Sequence, residues 1–314
     1  MAKFLHHSTK APIVTVSGYG KIAYQDHSPT ASAVAVSKDG KPLTILCVHG
    51  LLANSTLWSK MFPLFTSKGY RVVSPDLPLG SHLYPLSPDA DVTPPGLGKL
   101  LCGFIEEANL ENVVVLANDT GGAITQMMVT HHPTPRVKAL ALTDCDVYDY
   151  FLPPMFQPFL SVAAKFPGLY HLRLTNWLGM NHTMRYLPPL CGYLVKHREI
   201  NNASDTILRR TFETGYNVPW ECLRDVKRIV GAIDNKYTID AAKNKFGGFP
   251  GKVLLAWCPE DQAFVDKFIP RLVEDFGGEG KVTAVQIHDS FTFSMLDQPE
   301  KLAEEVDKWA KANL

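Results

Sequence analysis

Asp119 stands where an apolar run breaks into glycine. Residues 113–126 read VVVLANDTGGAITQ. The first four are β-branched or large and apolar with no polar alternation, the pattern of a strand buried on both faces of a parallel sheet. Gly121 and Gly122 permit a sharp reversal with close backbone approach, and residues 123–129 read as a helix packed beneath the sheet. A strand, one acidic residue, small residues and then a helix is the geometry of a nucleophile elbow, which lifts one side chain above the sheet. Asp119 is that side chain in this chain, with Thr120 beside it. The structural use of the same residues would be to cap the helix through Asn118 and Asp119.

Further candidates fall at the ends of other apolar runs. His49 and Gly50, followed by Leu51, close residues 43–48; Asp144 and Asp146 follow residues 137–143; Asp261 follows residues 252–257; His288 ends residues 282–287. His49 is expected to shape its loop rather than react, and His82 to be a solvated loop residue. His131 and His132 suit a helix carboxyl end. Two carboxylates near Asp119 without histidines at ligand spacing do not make a metal site, so neither metal nor cofactor is expected.

These residues need a frame, and the rest of the chain supplies its pattern. Strands are expected at residues 13–16 and 21–25 around a glycine-rich turn, then at 43–48, 71–74, 113–116, 137–143, 252–257 and 282–287. Helical spacing recurs at residues 55–65, 96–109, 123–129, 264–276 and 298–314. Strands alternating with helices indicate an α/β fold with a mostly parallel, doubly wound sheet. Between residues 149 and 244 the rhythm gives way to proline and aromatic residues, with helical patterns near 207–214 and 221–232. That stretch reads as an inserted helical cap over the carboxyl ends of the strands, where ligands bind. The expected division is core 1–148, cap 149–244 and core 245–314. The cap aromatics together suggest an apolar roof. Arg173, Arg185, Lys196, Arg198, Arg209 and Arg210 make the cap locally basic, which leaves room for a substrate bearing a carboxylate.

Composition narrows the partners. The chain has 314 residues, with 31 basic and 31 acidic side chains, so net charge implies neither a nucleic acid nor an anionic membrane partner. Six scattered cysteines, without a CxxC pair, read as reduced buried thiols. No signal-peptide core or membrane span is recognisable, and a cytoplasmic enzyme of a small molecule is the expectation.

The sequence resembles the α/β-hydrolase superfamily on four ordered motifs. His49-Gly50 matches the oxyanion loop. Asp76-Leu77-Pro78-Leu79-Gly80-Ser81 is similar to a DxPGxGxS loop, with Leu79 in place of a glycine. Asn118-Asp119-Thr120-Gly121-Gly122 occupies the elbow, and Asp261 falls where many members place the catalytic acid. The resemblance implies an α/β-hydrolase fold with an inserted cap. Aspartate at the elbow resembles the branch of haloalkane dehalogenases and epoxide hydrolases, in which it attacks carbon to form an alkyl ester. Backbone N–H groups of Leu51 and Thr120 would then form the oxyanion hole, with Asp261 orienting a histidine base; Asp144 or Asp146 could replace or join Asp261.

The chain departs from that branch in three places. Thr120 stands where dehalogenases carry tryptophan, and Leu51 where they carry a polar residue. Leu51-Leu52-Ala53 lacks the proline of epoxide hydrolases. Counting back from Gln298-Pro299-Glu300 puts Thr292 where the catalytic histidine belongs, and the nearest histidine is His288. Three functions therefore stand open. Asp119 could be the nucleophile on an ester-, epoxide- or alkyl-halide-like substrate of mainly apolar character, with His288 as base. It could be the general base of a lyase, isomerase or cyclase reaction. The third is a catalytically silent, ligand-binding member of the fold.

Overall fold

Uninterrupted apolar runs become the central strands, and prolines fix where helices begin. The computed structural model describes residues 11–157, 168–181, 183–184, 192–197, 203–264 and 266–314. Eight strands make one sheet in the order β1-β2-β4-β3-β5-β6-β7-β8. They are β1 (Ile13–Val16), β2 (Gly20–His27), β3 (Thr44–Val48), β4 (Arg71–Pro75), β5 (Val113–Asp119), β6 (Val137–Cys145), β7 (Lys252–Trp257) and β8 (Val282–Gln286). β2 runs antiparallel to β1 and β4, while every pairing from β4 through β8 is parallel. Every residue of β3 and β5 is buried, as strands covered on both faces require.

Helices flank the sheet: α1 (Met61–Thr66), α2 (Pro94–Glu107), α3 (Thr120–His131), α4 (Gly168–Met180), α5 (Ala203–Asn217), α6 (Trp220–Ala232), α7 (Asn235–Lys243), α8 (Ile269–Phe276), α9 (Ser294–Asp297) and α10 (Pro299–Asn313). The helix expected over residues 55–65 is divided. Asn54 caps a 3-10 turn, Ser55–Trp58, and α1 starts afresh at Met61. Pro63 lacks an N–H and so is tolerated only in a first turn. Pro270 acts the same way at the start of α8, which begins later than its hydrophobic spacing suggests. α7 and α9 are not evident in that spacing.

Between β6 and β7 lie α4 to α7. Leu152, Leu172, Val218, Cys222, Leu223, Val226 and Val230 form a small apolar cluster of this insertion, against which Leu51 and Leu52 pack. Hydrogen bonds tie it to the loop after β4: Ser81 Oγ donates to Thr211 O, and Leu86 N–H donates to Asp225 Oδ2. Cys191, Arg185, Arg198 and residues 1–10 lie outside the described residues. The other five cysteines are free, four of them buried. No described helix is long and apolar enough to cross a membrane.

Candidate active site

The parallel strands deliver their carboxyl ends to one edge of the sheet, and most of the singled-out residues gather there. Asp119 ends β5 with φ 55° and ψ −136°, a conformation that costs a non-glycine residue free energy and persists only when the surroundings impose it. The strain falls on Asp119 itself, because α3 already begins at Thr120 rather than near residue 123. The two glycines serve close approach. A Cβ at Gly121 would lie 2.5 Å from His49 O, and one at Gly122 would meet the Cys145 side chain. Gly50 closes the other side: a Cβ there would fall 2.5 Å from Asp119 Cγ and 2.6 Å from Oδ2.

The Asp119 carboxylate is held by one oxygen. Oδ1 accepts the Thr120 N–H at 2.6 Å and lies 3.1 Å from Thr120 Oγ1. Among the described residues Oδ2 has no donor, and Asp119 keeps 8 % exposure. Burial pushes its carboxyl up to about 6, against the pull of the two Thr120 contacts, so most of it is ionised at neutral pH. The amino end of α3 adds a favourable dipole for that charge.

His49 is fully buried, and its ring shapes the loop. Nε2 accepts the Leu77 N–H at 3.0 Å, so the proton sits on Nδ1 and donates to Gly50 O at 2.8 Å. Burial lowers its pKa to about 4, leaving it a neutral anchor for Gly50, as its sequence position suggests.

Three more carboxylates lie at this edge. Asp261 Oδ1 accepts the N–H groups of Ala263 and Phe264, and its Oδ2 accepts the Thr292 hydroxyl at 2.7 Å. Burial raises Asp261 to about 7. Asp144 Oδ1 accepts the Cys258 N–H at 3.0 Å; burial and the Asp261 charge hold its carboxyl well above the usual range. Asp146 is raised in the same way, by burial and then by Asp119. Among the described residues no lysine, arginine or histidine is hydrogen-bonded or ion-paired to any of the four, and no group of His, Cys, Asp or Glu is arranged to hold a metal. Anions this crowded and dry must take up protons.

The structure separates His288 from this group. Ile287 is buried, so alternation turns the next side chain outward. His288 is 66 % exposed and lies 3.6 Å from Glu260. Thr292 instead is fully buried on Asp261, with its backbone carbonyl taking a bond from Asn118 Nδ2 at 2.9 Å. The sequence offers Asn118 as a helix cap or as a member of the motif around Asp119, with no partner of its own. Its amide reaches Thr143 Oγ1 and Asp144 O as well, joining β5, β6 and the loop after β8. Nothing local marks it, because its partners come from distant segments.

Two expectations for the loops and insertion need correction. His82 is buried rather than solvated, because α6 packs over it and sets Asp225 3.7 Å from its Nε2. Not all the aromatics form a roof: Phe151 is buried, whereas Tyr170, Trp177 and Trp220 are 71, 51 and 44 % exposed. Arg173 stacks on Trp220, Lys196 pairs with Asp289, and Arg209 and Arg210 face outward. These cations are engaged in packing, pairing or solvation.

With this geometry in view, comparison with known proteins places the chain. A model of the alpha/beta hydrolase family matches residues 45–305. The chain belongs to that family. A haloalkane dehalogenase of Psychrobacter cryohalolentis is 29 % identical over 114 residues, which span 36 % of this chain and 34 % of that protein. The fold is shared with the enol-lactonase of Burkholderia xenovorans (TM-score 0.68, 14 % identity, covering 96 % of this chain and all of the other). It is shared equally with a thermophilic esterase of Thermogutta terrifontis (TM-score 0.68, 14 % identity, covering 96 % and 98 %). The family match is to hydrolases, and the solved structures show that the fold is shared.

Proposed function

We propose that this family member hydrolyses a small, mainly apolar substrate, ester-, epoxide- or alkyl-halide-like, with Asp119 as nucleophile and the helical insertion as a cap. The observation that carries this reading is the asymmetric hold on Asp119. Oδ1 is bound by Thr120, while Oδ2 has no donor and remains available to attack carbon. In the alkyl ester so formed, Oδ1 becomes the carbonyl oxygen and already faces two donors. The bond forms between Oδ2 and carbon, and the leaving group departs with its electron pair. Water then attacks Asp119 Cγ. Its proton has an acceptor in Asp261, raised to about 7, by way of the Thr292 hydroxyl.

A second reading draws on the same threonine. With no histidine bonded to Asp119 among the described residues, a carboxylate near 6 is suited to take a proton from substrate and return it, as in a lyase or isomerase reaction.

Intact-mass analysis during turnover of esters, epoxides and haloalkanes separates the two. The nucleophilic reading expects a wild-type mass increase, of the alkyl group less one hydrogen for a haloalkane and of the whole substrate for an epoxide, absent in Asp119→Asn, with activity in that variant down by on the order of 10³-fold or more. Activity lost in the variant with no adduct in wild type would favour the general base. Undiminished activity in Asp119→Asn would remove both.

A further inference from the structure

Thr120 has one hydroxyl proton and two carboxylate oxygens within reach. Its Oγ1 lies 3.1 Å from Asp119 Oδ1 and 2.9 Å from Asp146 Oδ2. A hydroxyl donates to only one acceptor at a time. The other contact would set lone pair against lone pair in a dry site unless a second proton lies between the oxygens. Asp119 Oδ1 is already served by the Thr120 N–H. Asp146 has no such service: its side chain is fully buried, and Oδ1 finds no hydrogen-bond partner. Among the described residues, the groups around it are Asp119 on the elbow, Asp144 and Cys145 on β6, and Gln126 on α3, whose amide is directed to Asp146 O. None is a cation. Ionised, Asp146 would have only the Thr120 hydroxyl, shared with Asp119, as a donor, and would lie beside a second anion.

We propose that Asp146 is a resident neutral carboxylic acid that donates to Thr120 Oγ1, which donates in turn to Asp119 Oδ1, forming a relay behind the reacting carboxylate. Burial and the charge of Asp119 both favour the proton on Asp146. Asp146 is thus a positioning residue, acting on Asp119 through Thr120. Its use in turnover rests on the hydrolytic reading above. When water adds to Cγ of the ester, the carbonyl π pair moves to Oδ1 and the water proton goes to Asp261 through Thr292. The charge on Oδ1 is met by the Thr120 N–H and O–H, and Asp146 reinforces that hydroxyl while keeping its own proton. On collapse the ester C–O bond breaks, the departing alkoxide takes the proton back from Asp261 through Thr292, and Asp119 is left as an acid that ionises to solvent.

Infrared difference spectroscopy on the intact protein tests the relay without substrate, so a failed hydrolysis assay leaves the result readable. At neutral pH the wild-type minus Asp146→Asn spectrum is expected to contain the C=O stretch of a protonated carboxylic acid. Thr120→Val is an independent variant and should shift that band. Titrated through its own carboxylate band, Asp119 should keep its midpoint in Asp146→Asn, because the amide replaces a neutral donor with a neutral donor. Carboxylate bands in place of the acid band, a band unmoved by Thr120→Val, or an Asp119 midpoint lowered by about one unit or more, as loss of a neighbouring anion would produce, overturns the proposal.

Discussion

At the end of β5 the site is made of groups that have no freedom to be elsewhere, whereas at the ends of β7 and β8 the same edge is assembled from side chains that could be exchanged. Asp119 is fixed by its own strained backbone, by the Thr120 N–H and by Gly50, Gly121 and Gly122, each too close to a neighbour to accept a Cβ. Asp261 and Thr292 meet by a single side-chain hydrogen bond across two loops. The difference bears on which part of the proposed reaction the fold itself would guarantee. Placing a carboxylate above the sheet follows from backbone geometry, while the identity of the proton acceptor depends on which side chains the loops carry.

The largest effect is expected on the rigid side. Gly50→Ala pushes a methyl group into the Asp119 carboxylate, and a displacement approaching 1 Å there should lower kcat/KM by on the order of 10²-fold. The fold should survive, as circular dichroism would register. Full activity in this variant would mean that Asp119 does not need its position. On the exchangeable side, Thr292→Val removes the hydroxyl from Asp261. The alkyl adduct should then decay roughly 10-fold more slowly, while His288→Ala, at an exposed position, leaves the rate within about twofold. If the two variants exchanged effects in a stopped-flow comparison, the placement of the acceptor would be wrong.

The smallest effect is thermodynamic. Burial and the Asp261 charge raise Asp144 in the folded chain, so its contribution to stability is complete below the unfolded value of about 4 and is lost as pH rises towards the folded pKa. Asp144→Asn keeps an acceptor for the Cys258 N–H and removes that loss. Its unfolding free energy should exceed wild type at pH 8, and by little at pH 4. Urea titrations at the two pH values read the difference directly, and an equal effect at both would show that Asp144 does not titrate on unfolding.

What the amino-acid sequence discloses here follows the range over which the forces act. The apolar run before Asp119, the paired glycines and the helix-starting prolines are local, and the strands and the strand-to-helix turn at Asp119 are legible from them. Thr292 was located by counting from a helix start, and its hydroxyl does reach Asp261. His82 misleads because its burial depends on α6, far along the chain. Asn118 and the Asp146–Thr120 contact are equally hidden, since neither exists until β5, β6 and the loop after β8 are brought side by side. α7 carries a local cue in Asp234, which caps it through Lys236 N–H, but its hydrophobic pattern is too short to stand out.

The central claim is that Asp119 bonds to carbon and is released by water attacking its own carboxyl group. Single turnover in oxygen-18 water, followed by mass mapping of the elbow peptide, tests this most directly. Attack by Asp119 on carbon leaves one heavy oxygen in the Asp119 side chain and none in the product of that first turnover. Heavy oxygen in the product with an unlabelled Asp119 would contradict it.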